Sequence, residues 1–496
     1  MLGCYTDANT FFLLRSRRKR NECERMERAQ PPRAFQGSPR KVELRRKDVA
    51  LGPFTIDEPD TLVLVMEDIE FNFGFPDPAE SPFHLGFFAG IMIGAPRVTI
   101  DLRGHTLSQS PQMRERQRFF ALIELDVTPF PLKPGIGFTT PPRSPSDITI
   151  RNGTLGESSH FAVHGATAGD RILLSGLRME AFEVGAVSIS GAADVMIHRC
   201  KIGRPAKPKT SSEVAMLRDL ARECRGIKMD RMASQLDLMC VHPDVRAPDH
   251  SDAIVRCIVI SPVMNVGLPK LDGNVRTKRI SIVDVEFDDV HAEPKGVVGC
   301  SLVDGGDPIK DRLGNLVRWE DAASGAPVSR AQASISPDMD ATTRRRLMHG
   351  PHQFHKVFGL DLRAHELRQK SSALVRIDGA DGVTLHDLRG GIVKSVGDHS
   401  AAVGFMLNAC RKVSMRNVRM RGVQVTDACV STLSDERPQS GVYLRHCEHV
   451  DLENVRYSDE TACACVLRDA RNANLVACQF AAPFTALRSD PLRYSS

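Results

Sequence analysis

The sequence has few aromatic residues and no long apolar run. Aromatic side chains make up 5% of the 496 residues, with one Trp and four Tyr. No stretch of about 18 consecutive apolar residues occurs, which predicts that no helix spans a membrane. The net charge of +5 is small beside 66 basic and 61 acidic residues, so nothing indicates nucleic-acid binding by the body of the protein. The apolar fraction of 42% is nevertheless enough for a large core.

Cysteine is present, but its spacing is not that of a metal site. The 13 cysteines include no C-x-x-C pair, and the closest two are Cys463 and Cys465. We therefore expect reduced thiols that pack as small apolar residues, and no cofactor. Carboxylates from several turns of chain could hold Ca²⁺ without forming a local motif. The sequence therefore leaves this ion open but gives it no support. The N-terminus lacks the order of a secretory signal, which favours a cytoplasmic or virion location.

A short motif recurs along the chain at a nearly constant spacing. ITIRNG at 148–153, VSMRNV at 413–418 and VDLENV at 450–455 share an apolar alternation around an Asn. Further copies begin at residues 172, 195, 280, 383 and 473, and the steps from 148 to 172 and from 172 to 195 are 24 and 23 residues. A fixed period of this length, with period-2 alternation inside each unit, predicts a solenoid of β-strands.

The fifth position of each unit predicts a corner. The residues there are Asn152, Gly176, Arg199, Asp284, Asp387, Asn417, Asn454 and Ala477. Asn, Gly and Asp enter the left-handed backbone region at low cost, so this position suits a sharp bend between two strands. The expected fold is all-β, a right-handed parallel β-helix with helical and irregular insertions. A small residue before each unit, such as Cys410 or Cys447, predicts a second tight corner with buried thiols on adjacent turns.

Irregular segments divide the predicted solenoid. We predict a charged, disordered arm over 1–50, a first β-helix part over 51–303, an insertion over 304–356, a second β-helix part over 357–482 and a C-terminal tail over 483–496. A capping box formed by Thr210 and Glu213 predicts a helix in a loop insertion over 205–225. DLRGHTL at 101–107 recurs as DLRAHEL at 361–367, which fits one continuous β-helix, the favoured arrangement, or two in series.

On these repeats the chain resembles the pectin-lyase-like right-handed β-helix superfamily over about residues 85–482. The stretch from FHLGFFAG at 83–90 to HFAVHG at 160–165 also resembles uncharacterised β-helix proteins of large DNA viruses and protists. The superfamily resemblance implies a polysaccharide partner and a groove along the first strand of successive turns. The N-T-D and G-H-G motifs of polygalacturonase-like hydrolases are absent, and Asp288-Asp289 follows RGIK at 225–228 in the reverse of their order.

The groove strand supplies the candidate site. Alternation of Cβ atoms makes Leu125, Val163, Ile189 and Met229 inward residues of consecutive turns. Two outward columns then contain Glu124, Ala162, Ser188 and Lys228, and Asp126, His164, Ser190 and Asp230. A carboxylate beside an imidazole can make it an acid or base near neutral pH, so Asp126, His164 and Glu124 are the candidate catalytic residues. Lys228, Asp230 and His160 on the same face are candidate substrate-binding residues.

The same columns continue in the second half of the chain. They hold Arg376, Met406 and Tyr443, and Asp378, Asn408, Arg445 and Arg468. Arg376, Tyr443 and Arg445 are candidate contacts to an anionic glycan, because guanidinium groups bind carboxylates and sulfates bidentately. The sequence thus predicts a protein that binds an acidic polysaccharide and leaves open whether a lyase-like or hydrolase-like activity accompanies binding. The alternative is a non-enzymatic structural or virion surface protein, or an interaction scaffold; a homo-oligomer fits any of these.

Overall fold

The structure is a computed structural model. It describes residues 29–72, 88–116, 120–127, 143–165, 167–203, 255–262, 277–292, 306–310, 316–321, 371–396, 401–426, 439–459, 463–481, 484–487 and 493–495. The predicted helix over 205–225 and residues 1–28 lie outside these ranges.

The described elements are almost all β-strands. Strands β1 to β8 are Arg40–Leu44, Phe54–Ile56, Thr61–Val65, Ile69–Phe71, Phe88–Ile93, Val98–Asp101, Thr106–Gln109 and Phe120–Glu124. Strands β9 to β16 are Ile148–Leu155, Phe161–Gly165, Ile172–Met179, Gly185–Ser190, Ala193–Ile202, Arg256–Ser261, Lys278–Phe287 and Val290–Ala292. Strands β17 to β24 are Gly306–Lys310, Leu316–Asp321, Ser371–Asp378, Asp381–Val396, Ala401–Asn408, Arg411–Arg416, Arg419–Thr426 and Gln439–Arg445. Strands β25 to β31 are Glu448–Glu453, Arg456–Tyr457, Cys463–Arg468, Arg471–Val476, Gln479–Phe480, Phe484–Leu487 and Arg493–Ser495. A 3-10 helix spans Arg46–Val49, and a short α-helix, α1, spans Pro111–Arg116.

Two parallel sheets form the body of the molecule. Eighteen strands make one sheet, here the long sheet, and eleven make the other, here the short sheet. Each turn of chain adds one strand to the short sheet and then one or two to the long sheet, and we call such a turn a rung. The predicted right-handed parallel β-helix is confirmed.

The core lies between the two sheets because the apolar alternation of every repeat unit points inward. One cluster of buried side chains continues from Leu44 to Leu475. In the short sheet two consecutive residues face inward in each strand. In β14, for example, Cys257 and Ile258 are both fully buried between the half-buried Arg256 and Val259. Simple alternation therefore holds better in the long sheet than in the short sheet.

The predicted corner residues are confirmed. Asn152, Asn417 and Asn454 have φ of 61°, 53° and 53°, and the other five residues at this position also have positive φ. The position therefore selects a left-handed backbone even where Arg199 or Ala477 occupies it. Cys410 and Cys447 are both fully buried, and the residues after them, Arg411 and Glu448, pair on adjacent rungs, as predicted.

The structure corrects two of the predicted segment boundaries. It also decides between one continuous β-helix and two in series. Residues 40–44 are no disordered arm, because β1 pairs in parallel with β3 and buries Leu44. The predicted tail contributes β30 and β31, which pair with β27 and β28. β14 pairs directly with β19, and β15 with β20, so the solenoid is continuous across the insertion. Within the insertion, β17 and β18 form an antiparallel hairpin.

Two features do not occur in the described segments. No helix there combines the length and the apolar character needed to cross a bilayer. No three His, Cys, Asp or Glu side chains of those segments are grouped so that they could hold a metal ion.

Candidate functional site

The outward positions of the short sheet form a line that we call the central column. It contains Thr55, Met92, Glu124, His164, Ser188, Val259, Arg376, Met406, Tyr443, Val466 and Thr485. Neighbouring strands are about 4.8 Å apart, so side chains of adjacent rungs can touch. Four of the predicted site residues therefore lie on one line.

His164 lies beside Glu124 and not beside Asp126, which corrects the predicted catalytic pair. In the parallel register His164 is opposite Glu124, and Val163 is opposite Ile123. The His164 Nδ1 and Glu124 Oε2 atoms are 2.7 Å apart and form a hydrogen bond. The predicted alignment was displaced by two residues, and a displacement of two leaves every side chain on its original face. The predicted outward face of these side chains was therefore right, and the predicted partner of His164 was wrong.

Asp126 instead organises the turn that follows β8. Its Oδ1 accepts hydrogen bonds from the backbone N–H of Val127 at 2.6 Å and of Arg143 at 3.3 Å. Its Oδ2 accepts a longer one from the Thr167 hydroxyl at 3.4 Å. These contacts give Asp126 a structural role at the end of the strand.

The predicted catalytic residues are buried, which corrects the expectation of an exposed groove. The exposed fractions are 0% for Glu124, 2% for Asp126, 3% for His164 and 5% for His160. The His164 ring stacks on Phe161 with a centroid distance of 5.4 Å, and the His160 ring contacts the same Phe161 at 4.2 Å. A polymer cannot reach side chains that are buried and packed in this way.

Burial also controls the charge of Glu124. It raises the pKa of the Glu124 carboxyl above its ordinary value, and the neighbouring His164 opposes this shift. The Oε1 atom is buried without a hydrogen-bond partner. The protonated carboxyl costs less to bury than the carboxylate, which explains the direction of the shift. The pair is a buried polar link between two adjacent rungs.

Lys228 and Asp230 lie outside the described residues, and other residues occupy the places predicted for them. The rung after β12 is β14, so Val259 lies beside Ser188, and Ser261 follows on the same face. The RCIVIS sequence of β14 is rich in β-branched apolar residues, which is a strand signal that the repeat alignment did not include.

The columns predicted for the second half of the chain are confirmed. Arg376, Met406 and Tyr443 are consecutive in the central column. A parallel line, here the edge column, contains Asp378, Asn408, Arg445 and Arg468. Tyr443, however, is only 5% exposed and packs with Val403 and Met406. It is not available to stack on a sugar ring, which corrects its predicted role.

Two adjacent positions of the edge column, Arg445 and Arg468, carry guanidinium groups. Asp378 is engaged already, because it accepts hydrogen bonds from Arg376 Nε at 2.8 Å and from Asn408 Nδ2 at 2.6 Å. The Nε of Arg445 is buried and has no hydrogen-bond partner. Arg468 Nε is 3.9 Å from the Asp469 carboxylate, which is a long ion pair.

Arg256 adds a further cation that the sequence analysis missed. Burial and the charge of Arg376 lower the pKa of Arg256 to about 9, while Asp378 opposes the change. The guanidinium remains protonated at neutral pH. Burial is the larger cause of the lowered pKa, and repulsion from the Arg376 cation is the second. A bound anion would relieve that repulsion. Arg256 could have been recognised in the sequence, because it is the outward residue with which the apolar strand β14 begins.

No protein-family model matches the chain, and no curated protein matches it. Solved structures of PfbA, a surface protein and adhesin of Streptococcus pneumoniae, are similar. One has 9% identity and a TM-score of 0.20 and covers 92% of this chain and 91% of that chain. Another has 10% identity and a TM-score of 0.25 and covers 92% of this chain and 86% of that chain. Similarity at this level carries no argument about what this chain binds.

Proposed function

We propose that the protein binds an acidic polysaccharide along the second half of the short sheet and does not cleave it. The observation that carries this proposal is the pairing of Arg445 with Arg468 on adjacent rungs of one outward column. Guanidinium groups bind carboxylates and sulfates bidentately. Rungs about 4.8 Å apart place these two cations at the spacing of adjacent strands, which suits a polymer that presents anionic groups close together.

The charge balance of the two columns supports an anionic ligand. Both oxygens of Asp378 accept hydrogen bonds from Arg376 and Asn408. Arg445 and Arg468 are half-buried, so part of each side chain remains at the surface, where a ligand carboxylate or sulfate can reach it.

Burial argues against cleavage at the predicted acid–base residues. Glu124 and His164 are 0% and 3% exposed, and a general acid or base must reach within hydrogen-bond distance of the bond that reacts. The arginine-bearing rungs have no buried carboxyl–imidazole pair in the central column, so binding without chemistry fits this surface better.

The test is binding of the purified full chain to immobilised glycans at about 50 mM and about 300 mM salt. We expect a sulfated glycosaminoglycan or polygalacturonate to bind with a strong salt dependence and neutral dextran not to bind. The Arg445→Ala/Arg468→Ala variant should bind at least about tenfold more weakly. Arg419→Ala/Arg456→Ala is the matched control, because these exposed arginines pair on adjacent rungs of the long sheet.

Three results would contradict the proposal or a part of it. Equal losses in the two double variants would show that net charge alone, and not the edge column, drives binding. Absence of binding to every acidic polymer at low salt would exclude the function altogether. Release of unsaturated uronate or of new reducing ends would contradict the non-catalytic part.

A structural role is the second candidate. One core cluster runs unbroken from Leu44 to Leu475, which makes the described solenoid a stiff rod. Resistance to protease together with no glycan binding would favour this role.

A further inference from the structure

An alternating series of aspartate and arginine runs along the corner that precedes the long sheet. These residues, here the corner ladder, are Asp60, Arg97, Asp147, Arg171, Asp194 and Arg279, one on each of six successive rungs. Each has a left-handed backbone, with φ between 52° and 63°. The ladder follows the repeat units closely, because each member directly precedes the first residue of a long-sheet strand or unit.

Each aspartate of the ladder is held by the arginine of the next rung in the same bidentate way. The Arg171 Nε and Nη2 atoms donate to Asp147 Oδ1 and Oδ2 at 2.5 and 3.0 Å. Arg97 donates to Asp60 at 2.7 and 2.9 Å, and Arg279 donates to Asp194 at 2.6 Å in both bonds. The carboxylates are thus fixed in orientation before any further ligand binds.

The chain's own residues 29–36, here the N-terminal strap, lie on this ladder. The backbone N–H of Gln30 donates to Asp194 Oδ1 at 2.9 Å, and that of Arg33 donates to Asp147 Oδ1 at 2.8 Å. The third bond runs from the N–H of Gln36 to Asp60 Oδ1 at 2.7 Å. The strap therefore runs along the solenoid axis and engages every aspartate of the ladder.

The spacing of these three bonds fits a polyproline II conformation of the strap. Successive aspartates are two rungs apart, or about 9.6 Å at 4.8 Å per rung. Three residues of a polyproline II helix rise about 9.3 Å, and its threefold symmetry places every third residue on one face. A β-strand would turn residues 30 and 33 to opposite faces. Pro31 and Pro32, which have no N–H, stand at positions that the ladder does not contact through a backbone donor.

The recognition uses the backbone of the strap more than its side chains. The side chains of Gln30, Arg33 and Gln36 are all exposed, although their N–H groups are bonded. Among the described residues of this corner, Asp194 is the last aspartate of the series. The next four residues of the same corner are Gly382, Lys412, His449 and Asn472, none of which carries a carboxylate.

We propose that the corner ladder is a binding site for an extended peptide in the polyproline II conformation, and that the N-terminal strap occupies it in cis. The site recognises one backbone N–H at every third residue through three pre-oriented carboxylates. A peptide with the same spacing of donors competes with the strap for the ladder. This site is independent of the polysaccharide surface, which lies on the short sheet.

The first test removes the donors and keeps the conformation, because proline favours polyproline II but lacks an N–H. Gln30→Pro/Arg33→Pro in the full chain is compared with Gln30→Ala/Arg33→Ala, which keeps both donors. Hydrogen exchange of the remaining Gln36 amide should be at least about tenfold faster in the proline variant. It should change by less than about twofold in the alanine variant and in Ala34→Pro. Equal exchange in the two double variants would overturn the proposal.

The second test supplies the ligand in trans. A labelled synthetic peptide of residues 27–39 is titrated into the full-length Gln30→Pro/Arg33→Pro/Gln36→Pro variant and into the wild-type chain. We expect saturable binding to the variant and at least about tenfold weaker binding to the wild type, whose ladder is occupied. The same peptide with N-methyl groups at residues 30, 33 and 36 should not bind. Equal binding of the methylated peptide, or no binding of either, would refute the peptide site.

Discussion

Asn454 donates its side-chain N–H to the side-chain oxygen of Asn417 on the previous rung at 2.9 Å, and Asn417 donates in turn to Asp387 at 2.9 Å. All three residues have left-handed backbones with φ of 53° to 55°. One residue type thus meets two needs of the corner, because Asn tolerates this backbone and its amide can both donate and accept. At the other end of the solenoid the corner residue Asn152 also donates to the previous rung, to Asp101 at 3.2 Å, which lies one position before the corner.

The corner predicts a difference between two substitutions of Asn417. Asn417→Ala loses the side-chain hydrogen bonds and keeps a β-carbon in the left-handed region without the polar side chain that makes this backbone tolerable, so it should lower the free energy of unfolding by about 2 kcal/mol. Asn417→Gly loses only the hydrogen bonds and should cost less. Denaturant unfolding measures both, with Arg419→Ala as an exposed control expected within about 0.5 kcal/mol. A larger loss for Gly than for Ala would contradict the backbone argument.

Glu124 predicts a stability effect that depends on pH. Its pKa is raised by burial, so its contribution to stability is complete below the unfolded pKa of about 4.3 and is lost as pH rises through the folded pKa. Glu124→Gln removes this loss and still offers His164 an acceptor. We expect its stability relative to wild type to be higher at pH 8 than at pH 5.

Glu124→Ala is the contrasting variant. It leaves the buried His164 without its 2.7 Å partner and should cost about 1–3 kcal/mol. Thermal or denaturant unfolding at the two pH values distinguishes the cases. If Glu124→Gln and Glu124→Ala change the free energy of unfolding equally, the hydrogen bond to His164 contributes nothing measurable to stability.

Gly441 predicts an overpacking effect in the core. A β-carbon there would meet the Tyr457 ring and the backbone oxygen of Ala464, neither of which can move freely in a stacked sheet. Gly441→Ala should therefore lower stability by about 1–3 kcal/mol. Gly52→Ala is the matched control, because nothing lies within 4 Å of a β-carbon at that position. A change for Gly441→Ala within about 0.5 kcal/mol of the control would show that the rungs relax around it.

The corner ladder carries depressed carboxyl pKa values. The hydrogen bond from Arg97, followed by the backbone N–H of Gln36, lowers the pKa of Asp60. Burial raises the pKa of Asp147, but the hydrogen bonds from Arg171 and from the Arg33 backbone outweigh it, so the pKa is lowered.

Asp194 shows the same balance of causes. Burial raises its pKa, and the hydrogen bonds from Arg279 and from the Gln30 backbone, with the charge of Arg171, lower it further than burial raises it. Asp170 and Asp381 are further charged neighbours. The charge of Asp170 raises the pKa values of both Arg171 and Arg279, and that of Asp381 raises the pKa of Arg279.

The strap should therefore resist mild acid. A carboxyl with a depressed folded pKa contributes stability that is complete above the unfolded pKa of about 3.9 and is lost as pH falls through the folded value. Pepsin cleavage within residues 29–36 should stay slow at about pH 4 and rise only at lower pH. Cleavage that is already fast near pH 5 would show that the ladder carboxylates do not hold the strap.

Part of the candidate site could be predicted from the sequence. The sequence correctly predicted that Arg445 and Arg468 lie in one column. Both strands belong to the regular repeat, in which Cys447 and Ala470 set the register. His164 received the wrong partner because the chain between Asp126 and Arg143 interrupts the period, and a slip of two residues leaves the hydrophobic pattern unchanged. The ladder was visible one position before each aligned unit but carried no motif of its own.

The sequence by itself determined the parallel β-helix, its inward residues and the corner at Asn152, Asn417 and Asn454. These features follow from period, alternation and backbone preference, which act within a single repeat unit. Only the tertiary structure decided that β14 follows β12, that Glu124 and His164 are buried together, and that Gln30, Arg33 and Gln36 lie on the ladder. These features depend on which distant rungs stack and on which segments cover them. Gln30 and Asp194 are more than a hundred positions apart, and no local pattern of side chains encodes a contact over that distance.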